Sequence, residues 1–170
     1  SDVGAHKIWI ARMYPTCCPN TVLISNGFAS MGFALPAAIT AKMLYPDRKI
    51  IAVCGDGGFL MNSQELETAV RLKVPVVSLI FNDSAYGLIK WKQVKRFGKS
   101  NGSTSFGNPD FVRFAEAFGA KGMRLESANE LEPALKEAFQ SNVPVVIDCP
   151  VDYKENIKLT ERMGELICPI

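Results

Sequence analysis

The sequence predicts an α/β domain built on a doubly wound, mostly parallel sheet with helices on both faces. Three observations carry that prediction. Short runs rich in β-branched and aromatic residues alternate along the chain with longer stretches of helical periodicity. Two of the short runs, Ile50-Ile51-Ala52-Val53-Cys54 and Val76-Val77-Ser78-Leu79-Ile80-Phe81, are almost unbroken apolar sequence. Strands covered on both faces read this way, because neither side needs to be polar. The length, 170 residues, suits one hydrophobic core and is short for two.

In chain order, residues 21–25 are expected as a first strand. Residues 35–44, rich in alanine, form a helix that Pro46 stops. Residues 49–54 are a strand. Asn62 and Glu65 have capping-box spacing ahead of a helix carrying Leu66, Ala69 and Val70. Residues 76–81 are the next strand. Asn108-Pro109 opens a helix with Phe111, Phe114, Ala115 and Phe118 on one face, and Gly119 closes it. Residues 121–126 are a strand. Ser127 and Glu130 start a further helix, whose early Pro133 distorts its first turns. Residues 143–149 are the last strand. The domain is expected to span 1–153, followed by a charged, peripheral tail at 154–170.

Composition narrows the function classes. Hydrophobic residues make up 48% and charged residues 21%, which excludes a disordered chain. A balance of 19 Lys+Arg against 17 Asp+Glu gives no general attraction to nucleic acid or an anionic membrane. The apolar runs are too short to span a bilayer. Five cysteines, Cys17, Cys18, Cys54, Cys149 and Cys168, show no C-x-x-C spacing, so reduced thiols and a cytoplasmic setting are expected. The chain opens on Ser1 and reads as part of a longer polypeptide.

In open parallel sheets, ligands bind at the carboxyl ends of the strands. The 49–54 strand runs into Gly55-Asp56-Gly57-Gly58. Its glycines let backbone amides approach an anion, and its carboxylate suits a hard cation. This is neither a P-loop nor a G-x-G-x-x-G turn. The 76–81 strand ends in Asn82-Asp83-Ser84-Ala85-Tyr86-Gly87, with Asp83 27 positions after Asp56. One helix and one strand fill that spacing, so both loops leave the same sheet edge. Two carboxylates, a backbone carbonyl and glycine amides could hold an octahedral Mg²⁺ bridging to a diphosphate. Two acidic turns beside solvent would read the same way.

The order of these motifs resembles the Gly-Asp-Gly…Asn-Asn signature of thiamine-diphosphate enzymes. Residues 2–9, Asp-Val-Gly-Ala-His-Lys-Ile-Trp, resemble the start of the diphosphate-binding domain in acetolactate and acetohydroxyacid synthases. Ser25-Asn26-Gly27…Met31-Gly32-Phe33-Ala34-Leu35-Pro36-Ala37-Ala38 resembles their Ser-x-Gly…Met-Gly-x-x-Leu-Pro-x-Ala stretch. Gln64-Glu65-Leu66-Glu67-Thr68-Ala69-Val70-Arg71-Leu72, Phe118-Gly119-Ala120-Lys121-Gly122 and Val151-Asp152-Tyr153 are most similar to the catabolic acetolactate synthases.

The resemblance implies thiamine diphosphate and Mg²⁺ as cofactors. Asp56 and Asp83 would be side-chain ligands of Mg²⁺, with the carbonyl of Ala85 as the third protein ligand. Gly55, Gly57 and Gly58 would form the diphosphate turn, the last two donating amides, and Gly4 and His6 would approach from the first loop. Met31 would sit beneath the thiazolium, and the carbonyl of Ala29 would accept from the aminopyrimidine. Tyr86, Gly87, Leu88 and Ile89 would line the cofactor and substrate side. Without the resemblance, His6 reads as a structural residue near an aromatic.

The implied reaction decarboxylates pyruvate and joins the two-carbon unit to a second pyruvate, giving 2-acetolactate. The catalytic glutamate of the family lies on a pyrimidine-binding domain contributed by a partner subunit of a homo-oligomer, dimer or tetramer. No catalytic residue is therefore assigned here, and the isolated chain is expected to be inactive. Lys90, Lys92, Lys95, Arg96 and Lys99 read as a solvated helix face steering an anionic 2-oxo acid. Three departures stand out: Asp83 replaces the Asn of most of the family, Ala5 replaces a Gln of the anabolic enzymes, and Trp91 is one position early for their substrate-selecting Trp. Another thiamine-diphosphate 2-oxo acid decarboxylase or oxidase, or a non-catalytic phosphate- or nucleotide-binding module, are the alternatives.

Overall fold

The sheet consists of four parallel strands, β1 (Ile51–Gly55), β2 (Val77–Asn82), β3 (Lys121–Arg124) and β4 (Val145–Pro150), in the order β1-β2-β4-β3. The computed structural model describes residues 1–156. Among them the helices are α1 (Ala5–Met13), α2 (Ala34–Leu44), α3 (Asp56–Met61), α4 (Glu65–Arg71), α5 (Gly87–Phe97), α6 (Phe111–Ala117) and α7 (Leu131–Ala138). The strands expected at 49–54, 76–81, 121–126 and 143–149 are all present, with ends displaced by no more than two residues.

Successive side chains of a strand point to opposite faces, so each central strand feeds two cores. On one face Ala52, Cys54, Ile80 and Val146 pack with Leu35 and Ile39 of α2, Leu66 and Ala69 of α4, and Phe111 and Ala115 of α6. On the other, Val77, Leu79, Val145 and Ile147 pack with Ala134 and Ala138 of α7. This double coverage explains why the strand sequences show no polar alternation. Ile80, Val146 and Ile147 are completely buried, each contributing about 1.5–3 kcal/mol relative to an exposed position.

Four local expectations are corrected. Residues 21–25 form no strand. The Asp2 amide donates to the Val53 carbonyl (2.8 Å) and the Ser1 nitrogen to the Leu23 carbonyl (2.7 Å). Residues 1–2 thus lie between β1 and residue 23. The Asn62–Glu65 capping box does not form, because Asn62 Nδ2 donates to the Gly32 carbonyl instead (2.8 Å) and Gln64 precedes α4. Asp110, not Asn108-Pro109, caps α6, accepting from the Val112 and Arg113 amides (3.0 and 3.1 Å). Pro133 falls in the first turn of α7, where its missing N–H costs no bond. The irregularity is a 3-10 turn just before it, Ala128–Glu130.

Gly119 closes α6 as expected, at φ 81°. The segment expected as a peripheral tail, 154–170, lies outside the described residues beyond 156. Within it, Asn156 is buried and accepts a hydrogen bond from Trp9 Nε1. Cys17, Cys18, Cys54 and Cys149 are free thiols, and Cys168 lies outside the described residues. No helix among the described residues is long and apolar enough to cross a membrane.

Candidate cofactor site

The two loops marked by the sequence meet at the carboxyl edge of the sheet. β1 ends at Gly55 in extended conformation (φ −81°, ψ 161°), and α3 begins at Asp56. Asp56 is 1% exposed. Its Oδ1 accepts from the Gly57 amide (2.8 Å) and its Oδ2 from Asn108 Nδ2 (2.7 Å). The glycines that follow are fixed by close approach. A Cβ on Gly57 would lie 2.7 Å from the Tyr86 ring and 3.1 Å from that of Phe106. A Cβ on Gly58 would lie 2.6 Å from Asp2 Oδ2.

Asp2 is buried and draws a third segment in, accepting from the Val3 and Gly32 amides (2.8 and 2.9 Å). Burial raises its pKa, against the pull of those amides. The contact holds Gly32, and with it half-buried Met31, beside the Gly58 turn. Ala29, two residues earlier, has left-handed backbone at φ 56°, a conformation uncommon outside glycine and asparagine.

The second loop leaves β2 at Asn82. The Phe106 amide donates to the Ser84 carbonyl (3.1 Å) and the Tyr86 amide to the Thr104 carbonyl (2.8 Å). These bonds form the antiparallel bridge between Ala85 and Ser105 and leave the Ala85 carbonyl out of it. Asp83 is half-buried; burial first, and then the charge of Asp56, push its carboxyl up to about 6. The two carboxylates therefore sense each other at the sheet edge. A Cβ on Gly87 would lie 2.7 Å from Asp83 Oδ2 and 3.2 Å from the Tyr153 ring. Leu88 and Ile89 follow in the first turn of α5, Leu88 half-buried and Ile89 exposed. α5 buries none of its residues: Lys92, Lys95 and Arg96 are exposed and Lys90 is half-buried, while Lys99, expected on the same helix face, lies past the Gly98 cap.

His6 sits at the start of α1, 1% exposed, with its ring 3.4 Å from where a Cβ on Gly55 would be. It meets Phe81 edge-on, with ring centroids 6.0 Å apart. Burial foremost lowers the pKa to about 4, so the ring is neutral at pH 7. Its Nε2 is buried without a hydrogen-bond partner among the described residues. Gly4 is required by the same packing: its φ is 155° and a Cβ would meet the His6 ring at 2.8 Å.

Sequence reasoning overlooked several side chains here. Asn108 was read as part of a helix start, yet it bonds to Asp56 and to Asn82 Oδ1 (2.9 Å). Asn82 in turn donates to Asp148 Oδ1 (2.9 Å). Asp148 was the visible clue, a carboxylate closing the apolar run Val145-Val146-Ile147. Asp2 and Tyr153 stand in the 2–9 and 151–153 motifs, but nothing in the sequence assigned their side chains to the site. Among the described residues there is no group of three or more His, Cys, Asp or Glu side chains suited to a metal. A donor set of two carboxylates and a carbonyl is of another kind, and magnesium, which takes few protein ligands, suits it.

Comparison with known proteins decides the family. Residues 2–149 match the family model described as thiamine pyrophosphate enzyme, C-terminal TPP binding domain. The chain belongs to this family. It is 44% identical to an "Acetolactate synthase" of Bacillus subtilis (strain 168), over 98% of this chain and 30% of that protein. It is 45% identical to "Acetolactate synthase, catabolic" of Raoultella terrigena, over 97% of this chain and 29% of that protein. The TPP-binding domain thus spans under a third of the length of these relatives. Its fold is also similar to that of a thiamine diphosphate-dependent 4-hydroxybenzoylformate decarboxylase of Rhodococcus jostii RHA1. There the TM-score is 0.69 and the identity 30%, over 74% of this chain and 24% of that one.

Proposed function

We propose that this chain is the diphosphate- and Mg²⁺-binding domain of an acetolactate synthase, with residues 1–153 forming the domain. The observation that carries the cofactor reading is the convergence of Asp56 and Asp83 at one sheet edge, where the charge of Asp56 adds to burial in raising the pKa of Asp83. A divalent cation offsets that repulsion. The reaction reading is supported by relatives named acetolactate synthase that align over nearly the whole chain.

In this reading Asp56, Asp83 and the Ala85 carbonyl hold Mg²⁺. Gly57 and Gly58, with Gly55 before them, present amides to the diphosphate where a side chain would collide with Tyr86 or Asp2. His6, neutral and with Nε2 unpaired among the described residues, approaches the diphosphate from beneath Gly55 beside Gly4. Met31 supports the thiazolium, Ala29 offers its carbonyl to the aminopyrimidine, and Tyr86, Gly87, Leu88 and Ile89 line the cofactor and substrate side. Thiamine diphosphate, when bound, supplies the electron sink for decarboxylating pyruvate and joining the remaining two carbons to a second pyruvate. This chain's residues bind and orient. Proton transfer to the pyrimidine falls to a glutamate on the pyrimidine-binding domain of a partner subunit in a homo-oligomer.

The likeness to a 4-hydroxybenzoylformate decarboxylase supports a second reading, decarboxylation without ligation. The complete polypeptide, given thiamine diphosphate, Mg²⁺ and pyruvate, separates the two. Acetolactate as main product is expected; acetaldehyde alone refutes the synthase reading and leaves the cofactor site standing.

A further inference from the structure

Asn108 stands two residues ahead of the residue that caps α6, and the proline after it favours extended backbone. The helix therefore makes no use of its side chain, which turns back to the sheet edge. Its Nδ2 donates to Asp56 Oδ2 (2.7 Å) and Asn82 Oδ1 (2.9 Å), with Ser84 Oγ at 3.5 Å. The orientation of the amide is settled by its partners. Turned over, its oxygen would face a carboxylate and a second amide oxygen, both acceptors.

The contact is backed by a relay across the whole sheet. Asn82 also accepts from the Ser84 amide (3.3 Å) and donates to Asp148 Oδ1 (2.9 Å). Asp148, 2% exposed, takes Arg124 Nη1 on its other oxygen at 2.6 Å. From Asp56 after β1, the chain of bonds passes through Asn82 at the end of β2 and Asp148 in β4 to Arg124 at the end of β3. Asn108 is the link between that relay and Asp56.

A purely structural asparagine at a loop would leave no cost behind. Asn108 does, because its Oδ1 is buried with no partner among the described residues, a condition native structures seldom tolerate without a functional reason. What the arrangement secures is the plane of the Asp56 carboxylate. One oxygen is held by the Gly57 amide and the other by Asn108, and each oxygen keeps a lone pair for a cation.

We propose that Asn108 is a positioning residue for Asp56, setting the carboxylate in the orientation that receives the metal, with Asn82, Asp148 and Arg124 holding Asn108 in place. The inference rests on the reading of Asp56 as a Mg²⁺ ligand. Partners that orient a metal ligand commonly govern affinity by 10–100-fold.

The test uses the complete polypeptide at saturating thiamine diphosphate, titrated with Mg²⁺ and followed by tryptophan emission. Asn108→Ala is expected to raise the Mg²⁺ concentration for half-saturation roughly tenfold or more. The melting temperature without ligands should stay close to the parent's. Because Asn108 acts through Asp56, Asn108→Ala should add no further loss in an Asp56→Asn background. Equal losses in both backgrounds, or a change under twofold in the parent, overturn the proposal. If Asp56→Asn itself leaves Mg²⁺ binding unchanged, the metal reading fails instead. Should the alanine variant not fold, Asn108→Ser carries the same cycle.

Discussion

Gly122→Ala is the most demanding test of how this domain is assembled. Gly122 lies in β3, under the first turn of α6. A Cβ there would meet Val112 Cα at 2.5 Å, its carbonyl oxygen at 2.6 Å and its carbonyl carbon at 2.9 Å. All three atoms are backbone, so no rotamer change relieves the overlap, and α6 must retreat by about 1 Å to restore ordinary contact. Overpacking of a core costs about 1–3 kcal/mol. The upper end applies here, since the retreat also loosens Phe111 and Ala115, both fully buried. A loss of about 3 kcal/mol corresponds to a fall in Tm of roughly 6–12 °C for a chain of this size. Urea unfolding and calorimetry of the parent and the variant measure it. Gly102→Ala, where nothing lies within 4 Å of the new methyl, is the control and should change stability by less than about 0.5 kcal/mol. A Gly122→Ala melting point within about 1 °C of the parent would refute the close packing of β3 on α6.

Asp56→Asn and Asp83→Ala should each weaken Mg²⁺-dependent retention of thiamine diphosphate by about 100-fold, the order of 3 kcal/mol expected for loss of a charged ligand; equilibrium dialysis with labelled cofactor would show it. His6 has a folded-state pKa near 4 against 6.5 when exposed, so between these values its ring binds more protons in the unfolded chain and its own contribution to stability falls as pH drops, opposite in sign to that of Asp83, whose folded pKa is raised to about 6. Each pH unit in that window costs about 1.4 kcal/mol, roughly 3 kcal/mol in total, and His6→Gln should remove that slope in urea melts at pH 4 to 7 whatever its absolute stability. Neutralising Lys90, Lys92 and Lys95 of α5 together with Lys99 just beyond it should flatten the salt dependence of kcat/KM for pyruvate in the complete enzyme, and an unchanged slope would remove the steering role of this segment.

The parts of the fold visible in the sequence are those set by periodicity. Unbroken apolar runs announced parallel strands, and Phe111, Phe114, Ala115 and Phe118 announced the buried face of α6, because burial acts through every residue of such a segment. What periodicity cannot register is competition for a single side chain. Asn62 had the spacing of a cap but is taken by the Gly32 carbonyl. Asn108 had the look of a helix start until Asp110, two residues on, proved the better placed acceptor for the α6 amides. Residues 21–25, expected as a strand from their apolar content, form none, since apolar content alone does not make a ladder.

The candidate site divides along the same line. Asp56 and Asp83 were legible because their glycine-flanked loops follow recognisable strands. Asp148 and Arg124 reach the site only through the strand order, which inserts β4 between β2 and β3. In that order Asp148 stands beside Ile80, two residues before Asn82, on one side and beside Arg124 on the other, so Oδ1 accepts from Asn82 and Oδ2 from Arg124. No spacing along the chain encodes that adjacency. It follows that damage to the edge strand β3 should not stay there. Arg124 ends β3, Gly122 seats α6 against it, and α6 begins just beyond Asn108. Displacing either should therefore reach Asp56 by two routes, through Asp148 and Asn82 or through the loop that carries Asn108. Arg124→Ala would isolate the first route and Gly122→Ala the second. Both should weaken Mg²⁺ binding without touching a ligand, and an intact affinity in both would show that the Asp56 turn is held by β1 and Gly57 alone.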